Sequence, residues 1–238
     1  MLVDGFPTGG LAANCYVLAP RRGGECVVVD PGEGAQPGLA ELLERHSLRP
    51  VAVLVTHGHA DHMFSVAPVC GAHDIPAYIH PEDRALLSEP WRGLGPIGRE
   101  MYGQLTLAEP DEVRPLTDGA VIEAAGLRIT VTHTPGHTRG CVVFGTSGDG
   151  DTADGDTADI LLTGDLLFRD GVGRTDLPGG SDEDMRNSLA RILTFDDDAR
   201  VFPGHGPSTT IGRERAESPY LRMFGLDPET FVTPRRGL

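Results

Sequence analysis

Along most of the chain, short apolar runs alternate with segments whose apolar residues recur at helical spacing. "NCYVLA" (14–19) and "ECVVVD" (25–30) predict strands, and "VAVLVT" (51–56), apolar on both alternating faces, predicts a strand buried on both sides. "QPGLAELLERH" (36–46) predicts a helix, with Pro37 near its start and Leu39, Leu42 and Leu43 on one face. A helix over 61–70, a strand over 76–80 and a short helix over 81–87 follow. Residues 88–110, rich in Gly and Pro around "WRGLGPIGREMYG", predict a long irregular loop. Residues 120–133 alternate about a turn near Gly126 and predict a hairpin. Strands over 141–145, 159–165 and 200–204 complete the set, with helices from Ser181 to about Thr194 and near 211–224. Ser181 and Asp184 resemble a capping box at the first of these. Strand and helix patterns mixed in this order predict α/β layering rather than an all-α or all-β fold.

Composition narrows the function classes. The 238 residues suffice for one domain with a real core, or one with a small appendage, and 39% hydrophobic residues suit a soluble globular protein. The longest apolar runs are too short to span a bilayer, so no membrane partner is expected. The N-terminus shows no signal-peptide pattern, which leaves a cytoplasmic location. Cys15, Cys26, Cys70 and Cys141 are scattered without CxxC spacing and read as reduced thiols rather than a disulfide framework. Net charge is −15, and all 20 basic residues are arginines. The missing lysine excludes Schiff-base chemistry. The acidic balance argues against nucleic acid, and the basic "PRRGL" at the C-terminus is too short to reverse it. "GDGDTADGDTAD" (148–159) repeats GDTAD back to back. Its spacing fits neither an EF-hand nor a nonapeptide β-roll, and it reads as a solvated insertion in a hairpin loop.

The chemistry-bearing stretch is "THGHADH" (56–62). His57 and His59 leave a strand two residues apart and can face one cation, while Asp61 and His62 open the following helix, displaced toward a second position. Imidazole nitrogens and carboxylate oxygens are ligands that zinc accepts. One ion cannot take all four from so tight a turn; two adjacent ions can. Three further motifs place a polar residue just after a strand in a glycine-bearing turn: His137 in "HTPGHTRGC", Asp165 in "LLTGDLLF" and His205 in "VFPGHGP". Taken singly, each passes for a solvated loop residue; together they point to a metal centre.

Over roughly residues 10–220, "THGHADH", "TPGHT", "TGDLLFRDGVGRTD" and "PGHGP" resemble the metallo-β-lactamase superfamily, and within it the hydroxyacylglutathione hydrolase (glyoxalase II) branch. The resemblance implies a four-layer αββα sandwich spanning residues 1–238, with a short helical extension from about 208. It implies one ion on His57, His59 and His137, a second on Asp61, His62 and His205, and Asp165 bridging both. The cofactor is then two divalent ions, zinc foremost, with iron or manganese compatible. Asp61 and Asp165 become the catalytic residues: a hydroxide shared by the ions attacks a carbonyl carbon, with Asp61 orienting it. Asp30 and Thr56 match positions that steady the ligand loops. The substrate is a small-molecule thioester. Arg174 stands where the family carries a lysine that contacts glutathione, and Asp176 where it carries a tyrosine, so Arg174 becomes the substrate-binding candidate. His59 argues against the diiron oxygen-reducing branch, and the Asp61-His62 pair against the lactamases proper. The alternative is a persulfide dioxygenase holding one iron on His57, His137 and Asp165. A lactonase or a nucleic-acid phosphodiesterase fits the GRTD element and the acidic charge less well, and a metal-free binding module does not need a full ligand set. His46, His73, His80 and His133 read as structural or surface residues, His46 suiting a helix C-terminus, His80 capping the next helix and His133 supporting the turn it precedes.

Overall fold

The structure is a computed structural model that describes residues 1–103, 105–147 and 158–226. Two six-stranded sheets form its centre. The first carries β1 (Leu2–Thr8), β2 (Ala13–Ala19), β3 (Glu25–Val29), β4 (Arg49–Leu54), β5 (Ala77–Ile79) and β6 (Val113–Pro115) in sequence order, antiparallel up to β3 and parallel beyond it. The second runs β14-β13-β10-β9-β8-β7, from β7 (Val121–Ala124), β8 (Leu127–His133), β9 (Val142–Ser147), β10 (Asp159–Gly164), β13 (Arg200–Pro203) and β14 (Thr209–Thr210). β10 and β13 pair in parallel; the other neighbours are antiparallel. A small hairpin, β11 (Leu167–Phe168) with β12 (Gly171–Val172), lies between β10 and β13 in the chain.

Strand alternation builds the layers. Val27, Val29, Ala52 and Leu54 of the first sheet meet Ile129, Phe144, Ile160 and Leu162 of the second in the central core. The alternate residues Cys26, Val28 and Val53 face outward onto α1 (Ala35–His46) and α3 (Val66–His73), through Leu39, Leu42, Val66 and Val69. On the far side Val143, Leu161 and Val201 pack on α5 (Asp182–Ile192), α6 (Ile211–Glu217) and α7 (Pro219–Met223). The result is the expected αββα sandwich.

Several expectations are corrected. β1 was not expected, because Gly5 and Pro7 interrupt "LVDGFPT"; as an edge strand it needs only β2 as partner, and Gly5 lets the Tyr16 ring lie against it. β6, three residues ending in proline, is also new. The short helix expected over 81–87 is a 3-10 turn at Arg84–Leu87, and the region read as an irregular loop, 88–110, holds a 3-10 turn at Pro90–Leu94 and a helix, α4 (Gly95–Tyr102). Its glycines and proline serve the helix: Pro96 fits the first turn, and Gly98 lies so close to the Trp91 carbonyl that a Cβ would sit 2.2 Å from it. The helix expected over 61–70 is two, α2 (Ala60–Met63) and α3, because Ser65 bonds back to Pro31 through its N–H and to Gln36 through its hydroxyl. The helix near 211–224 breaks at Ser218, ahead of Pro219. The Ser181 cap is present, its hydroxyl accepting from the Asp184 N–H at 3.2 Å. Residues 148–157 of the acidic repeat and the C-terminal "PRRGL" lie outside the described residues.

Candidate metal centre

All seven expected ligands lie at the C-terminal ends of central strands or just past them. β4 leads through Val55 and Thr56 to His57; His59 precedes α2, whose single turn carries Asp61 and His62. His137 sits in the loop from β8 to β9, Asp165 directly after β10 and His205 after β13. The fold brings them together. The ligand atoms of His57, His59 and His137 lie within 4.8 Å of one another, as do those of Asp61, His62 and His205. Asp165 adjoins both sets: its carboxylate is 3.3 Å from His62 Nε2, 3.5 Å from His137 Nε2 and 3.6 Å from His205 Nε2.

Close backbone approach makes this possible. A Cβ on Gly173 would fall 1.9 Å from the Asp165 carbonyl, and one on Gly204 would fall 2.2 Å from Asp165 Oδ1. Glycine is therefore required at both positions by contact, and neither has a left-handed φ.

Partners outside the cluster set the tautomers. His62 Nδ1 donates to Asp30 Oδ2 at 2.9 Å, His137 Nδ1 to the Arg174 carbonyl at 2.7 Å, and His205 Nδ1 to the Leu11 carbonyl at 3.1 Å. Thr56 donates its N–H and its hydroxyl to the two oxygens of Asp30, at 2.7 and 2.6 Å, which leaves the hydroxyl oxygen free to accept from His57 Nδ1 at 3.1 Å. Four imidazoles thus turn Nε2 lone pairs inward. His59 presents Nδ1 instead, 2.8 Å from His137 Nε2. Among the described residues, His57 Nε2 and Asp165 Oδ1 are buried without any hydrogen-bond partner. Buried acceptors crowded on two carboxylates with too few protons between them are what a cation resolves, so these residues fit divalent ions.

Electrostatics agree. Burial, with repulsion from the other histidines, holds His57 well below the usual imidazole range, and burial with His137 holds His59 down to about 3. Both stay neutral, the form that ligates. Burial alone would push Asp61 and Asp165 up. For Asp61 the His205 hydrogen bond and for Asp165 the His62 charge lead the opposing effects, and both carboxyls end below their ordinary range. His62 shows the converse: burial disfavours its charge, yet Asp165 and Asp30 outweigh that and raise it.

Asp30 and Thr56 meet each other and the candidate ligands His62 and His57. Arg174 reaches His137 only through its main-chain carbonyl; its guanidinium is exposed and makes a two-pronged pair with Asp176, 2.7 Å at each contact. His46 does more than face a helix dipole: it is buried, with Nε2 2.6 Å from Asp4 Oδ2, tying α1 to β1. His80 accepts from the Glu82 N–H, and its ring stacks on His133 at 4.1 Å. The four cysteines are free and buried, and burial pushes their thiols up, Cys26 and Cys70 to about 12. One residue that the sequence reading passed over touches the ligand loops directly. Asp83, in "HPEDRALL", accepts from the Gly58 and Gly140 N–H groups and the Thr138 hydroxyl. Its only sequence signal is an acidic pair, Glu82 and Asp83, after a short strand.

The profile of the metallo-beta-lactamase superfamily matches residues 8–205. A Mycobacterium tuberculosis protein described as uncharacterized is 47% identical, covering 93% of this chain and 98% of its own. The probable metallo-hydrolase YqgX of Bacillus subtilis is 31% identical and the hydroxyacylglutathione hydrolase GloC of Haemophilus influenzae 27%, each over 93% of this chain and 98% of its own. Among solved structures, the B3 metallo-beta-lactamase BLEG-1 is 34% identical with a TM-score of 0.78, covering 92% of this chain and 99% of its own. TTHA1623, solved in a di-iron-bound form, is 37% identical with a TM-score of 0.72, covering 92% and 100%.

Proposed function

The chain belongs to the metallo-β-lactamase superfamily, and from that membership and the geometry of its centre we propose that it is a two-metal hydrolase cleaving thioesters of a low-molecular-weight thiol. The observation that carries the reading is Asp165, one carboxylate within 3.6 Å of imidazoles from both ligand sets. His57, His59 and His137 would hold one divalent ion, Asp61, His62 and His205 the other, and Asp165 both, with zinc the ion proposed. Ions so held would supply a water acidic enough to yield hydroxide near neutral pH, and would polarise a substrate carbonyl.

The chain's own residues do the rest. Asp30, Thr56 and the carbonyls of Leu11 and Arg174 hold four of the imidazoles with Nε2 aimed inward. Asp61 is held ionised by its histidine neighbours and is less buried than Asp165, so it can accept a hydrogen bond from the attacking water and orient it. It is too weak a base to remove a proton outright. A thiolate, with an ordinary pKa of about 8.5, departs without needing an acid beside it. That matches a site with no described lysine or tyrosine among the ligands' hydrogen-bond partners. The resemblance of "GRTD" and the hydroxyacylglutathione hydrolase name carried by a 27% identical relative support a thioester.

The test is elemental analysis of untagged protein with turnover of S-lactoyl esters of glutathione and of a second small thiol. About two equivalents of zinc and chelator-sensitive thioester cleavage are expected. No turnover of either ester by metal-replete protein would sink the thioester reading, with a β-lactam as the comparison substrate. About one equivalent of iron with oxygen consumption on glutathione persulfide would put the dioxygenase in its place.

A further inference from the structure

Asp83 is a buried carboxylate whose three hydrogen-bond donors come from two ligand loops belonging to different sheets. It lies just after β5, at the entry to the 3-10 turn Arg84–Leu87. Its Oδ2 accepts from the Gly58 N–H at 2.9 Å, between His57 and His59, and from the Thr138 hydroxyl at 2.5 Å, adjoining His137. Its Oδ1 accepts from the Gly140 N–H at 2.9 Å. Thr138 has one hydroxyl proton, given to Asp83, so its oxygen accepts from the Cys141 thiol at 3.1 Å. The chain yields side chains to admit this carboxylate: a Cβ on Gly140 would fall 2.5 Å from Asp83 Cγ. Among the described residues, the hydrogen bonds of its carboxylate go to the two loops that carry His57, His59 and His137.

We infer that Asp83 is a positioning residue for one of the two ion positions only, that of His57, His59 and His137. The loops bearing this set leave β4 of the first sheet and β8 of the second, and Asp83 is the side chain that bonds to both. The other set is held by different partners: His62 by Asp30, His205 by the Leu11 carbonyl. In D83N, the amide NH2 faces a donor on one side, either the Gly58 and Thr138 pair or Gly140, and that side of the clamp opens.

The inference rests on the two-ion reading of the centre and not on the thioester reading, and zinc retention is measured without substrate, so the two can fail separately. Zinc-loaded D83N is compared with its parent in two backgrounds: H205A, which cripples the Asp61, His62, His205 position, and H59A, which cripples the other. The readout is the chelator concentration that strips the remaining ion. In H205A the substitution should weaken retention about 10–100-fold, the range seen when a partner of a metal-ligating residue is lost. In H59A the change should stay below about threefold. T138V, which removes one donor and leaves the carboxylate in place, should give a smaller shift in H205A alone, and carries the test if D83N does not fold. Equal weakening in both backgrounds would reduce Asp83 to general structure, and no weakening in H205A would remove it from the site; either result overturns the inference.

Discussion

The contact of Gly204 with the centre gives a sharp test, because this residue contributes no ligand atom. A Cβ there would sit 2.2 Å from Asp165 Oδ1 and 2.6 Å from His62 Cε1. The backbone cannot give way easily, since the Gly204 N–H donates to the Gly164 carbonyl at 2.8 Å and its own carbonyl accepts from the Asn14 N–H at 2.7 Å. In G204A the Asp165 oxygen must therefore retreat by about 0.8 Å to reach even a tight 3.0 Å contact. Constellations of this kind tolerate about 0.5 Å, and a misplacement near 1 Å costs roughly 100-fold in rate. Crowding a packed interior by one methyl costs about 1–3 kcal/mol, which for a chain of this size lowers the melting temperature by roughly 2–12 °C. G204A should thus lose about 100-fold in kcat/KM, measured on a lactoyl thioester, and retain its ions less tightly against a chelator, while still folding. A variant with parental ion retention and rate would refute the placement of Asp165 at the junction of the two sets.

The same substitution should act oppositely at Gly71, an exposed position in α3 with nothing within 4 Å of a would-be Cβ. G71A should stabilise by about 0.5–1 kcal/mol and leave zinc retention unchanged; a fall in melting temperature would show that this helix is not as placed. In ion-free protein, His57 and His59 are held below the usual imidazole range while His62 and His205 are raised above it. The first pair binds fewer protons folded than unfolded, so stability falls as pH drops from about 6.5 toward about 3. The second pair binds more, so its contribution is full below about 6.5 and is lost as pH rises through the raised values. Denaturant midpoints of chelated protein should therefore peak near pH 6.5, and a profile rising steadily from pH 4 to 9 would contradict the assignments. R174A should leave melting unchanged, because the guanidinium is exposed and His137 is held by the main-chain carbonyl. Its effect should be a raised KM for a carboxylate-bearing thiol ester; a lowered kcat at unchanged KM would refute that role.

Legibility in this chain follows the range of the physics involved. The seven candidate ligands could be read because each announces itself locally, as a polar residue after an apolar strand in a turn that glycine opens. The mixed strand and helix order showed α/β layering, while the four-layer arrangement came with the resemblance; the structure builds it because Val27 and Val28, or Leu161 and Leu162, face opposite sides of a strand and both sides are buried. Elements whose residues answer to distant partners could not. Gly5 in β1 serves the Tyr16 ring across the sheet, and Gly98 in α4 serves the Trp91 carbonyl, so both segments look like loops until the partner is known. Asp83 is the extreme case. Nothing in "HPEDRALL" distinguishes it from Glu82 beside it, yet one is exposed and the other is buried against backbone donors from two loops about 25 and 57 positions away in the chain. Such a residue carries no local pattern because its function is to join segments that local patterns describe separately. Its signature lies at the other end of the contact, in the glycine at 140, where a Cβ would fall 2.5 Å from Asp83 Cγ. A ligand loop whose glycines have ordinary φ but no room for a Cβ is therefore a sign that a side chain from elsewhere is seated against it.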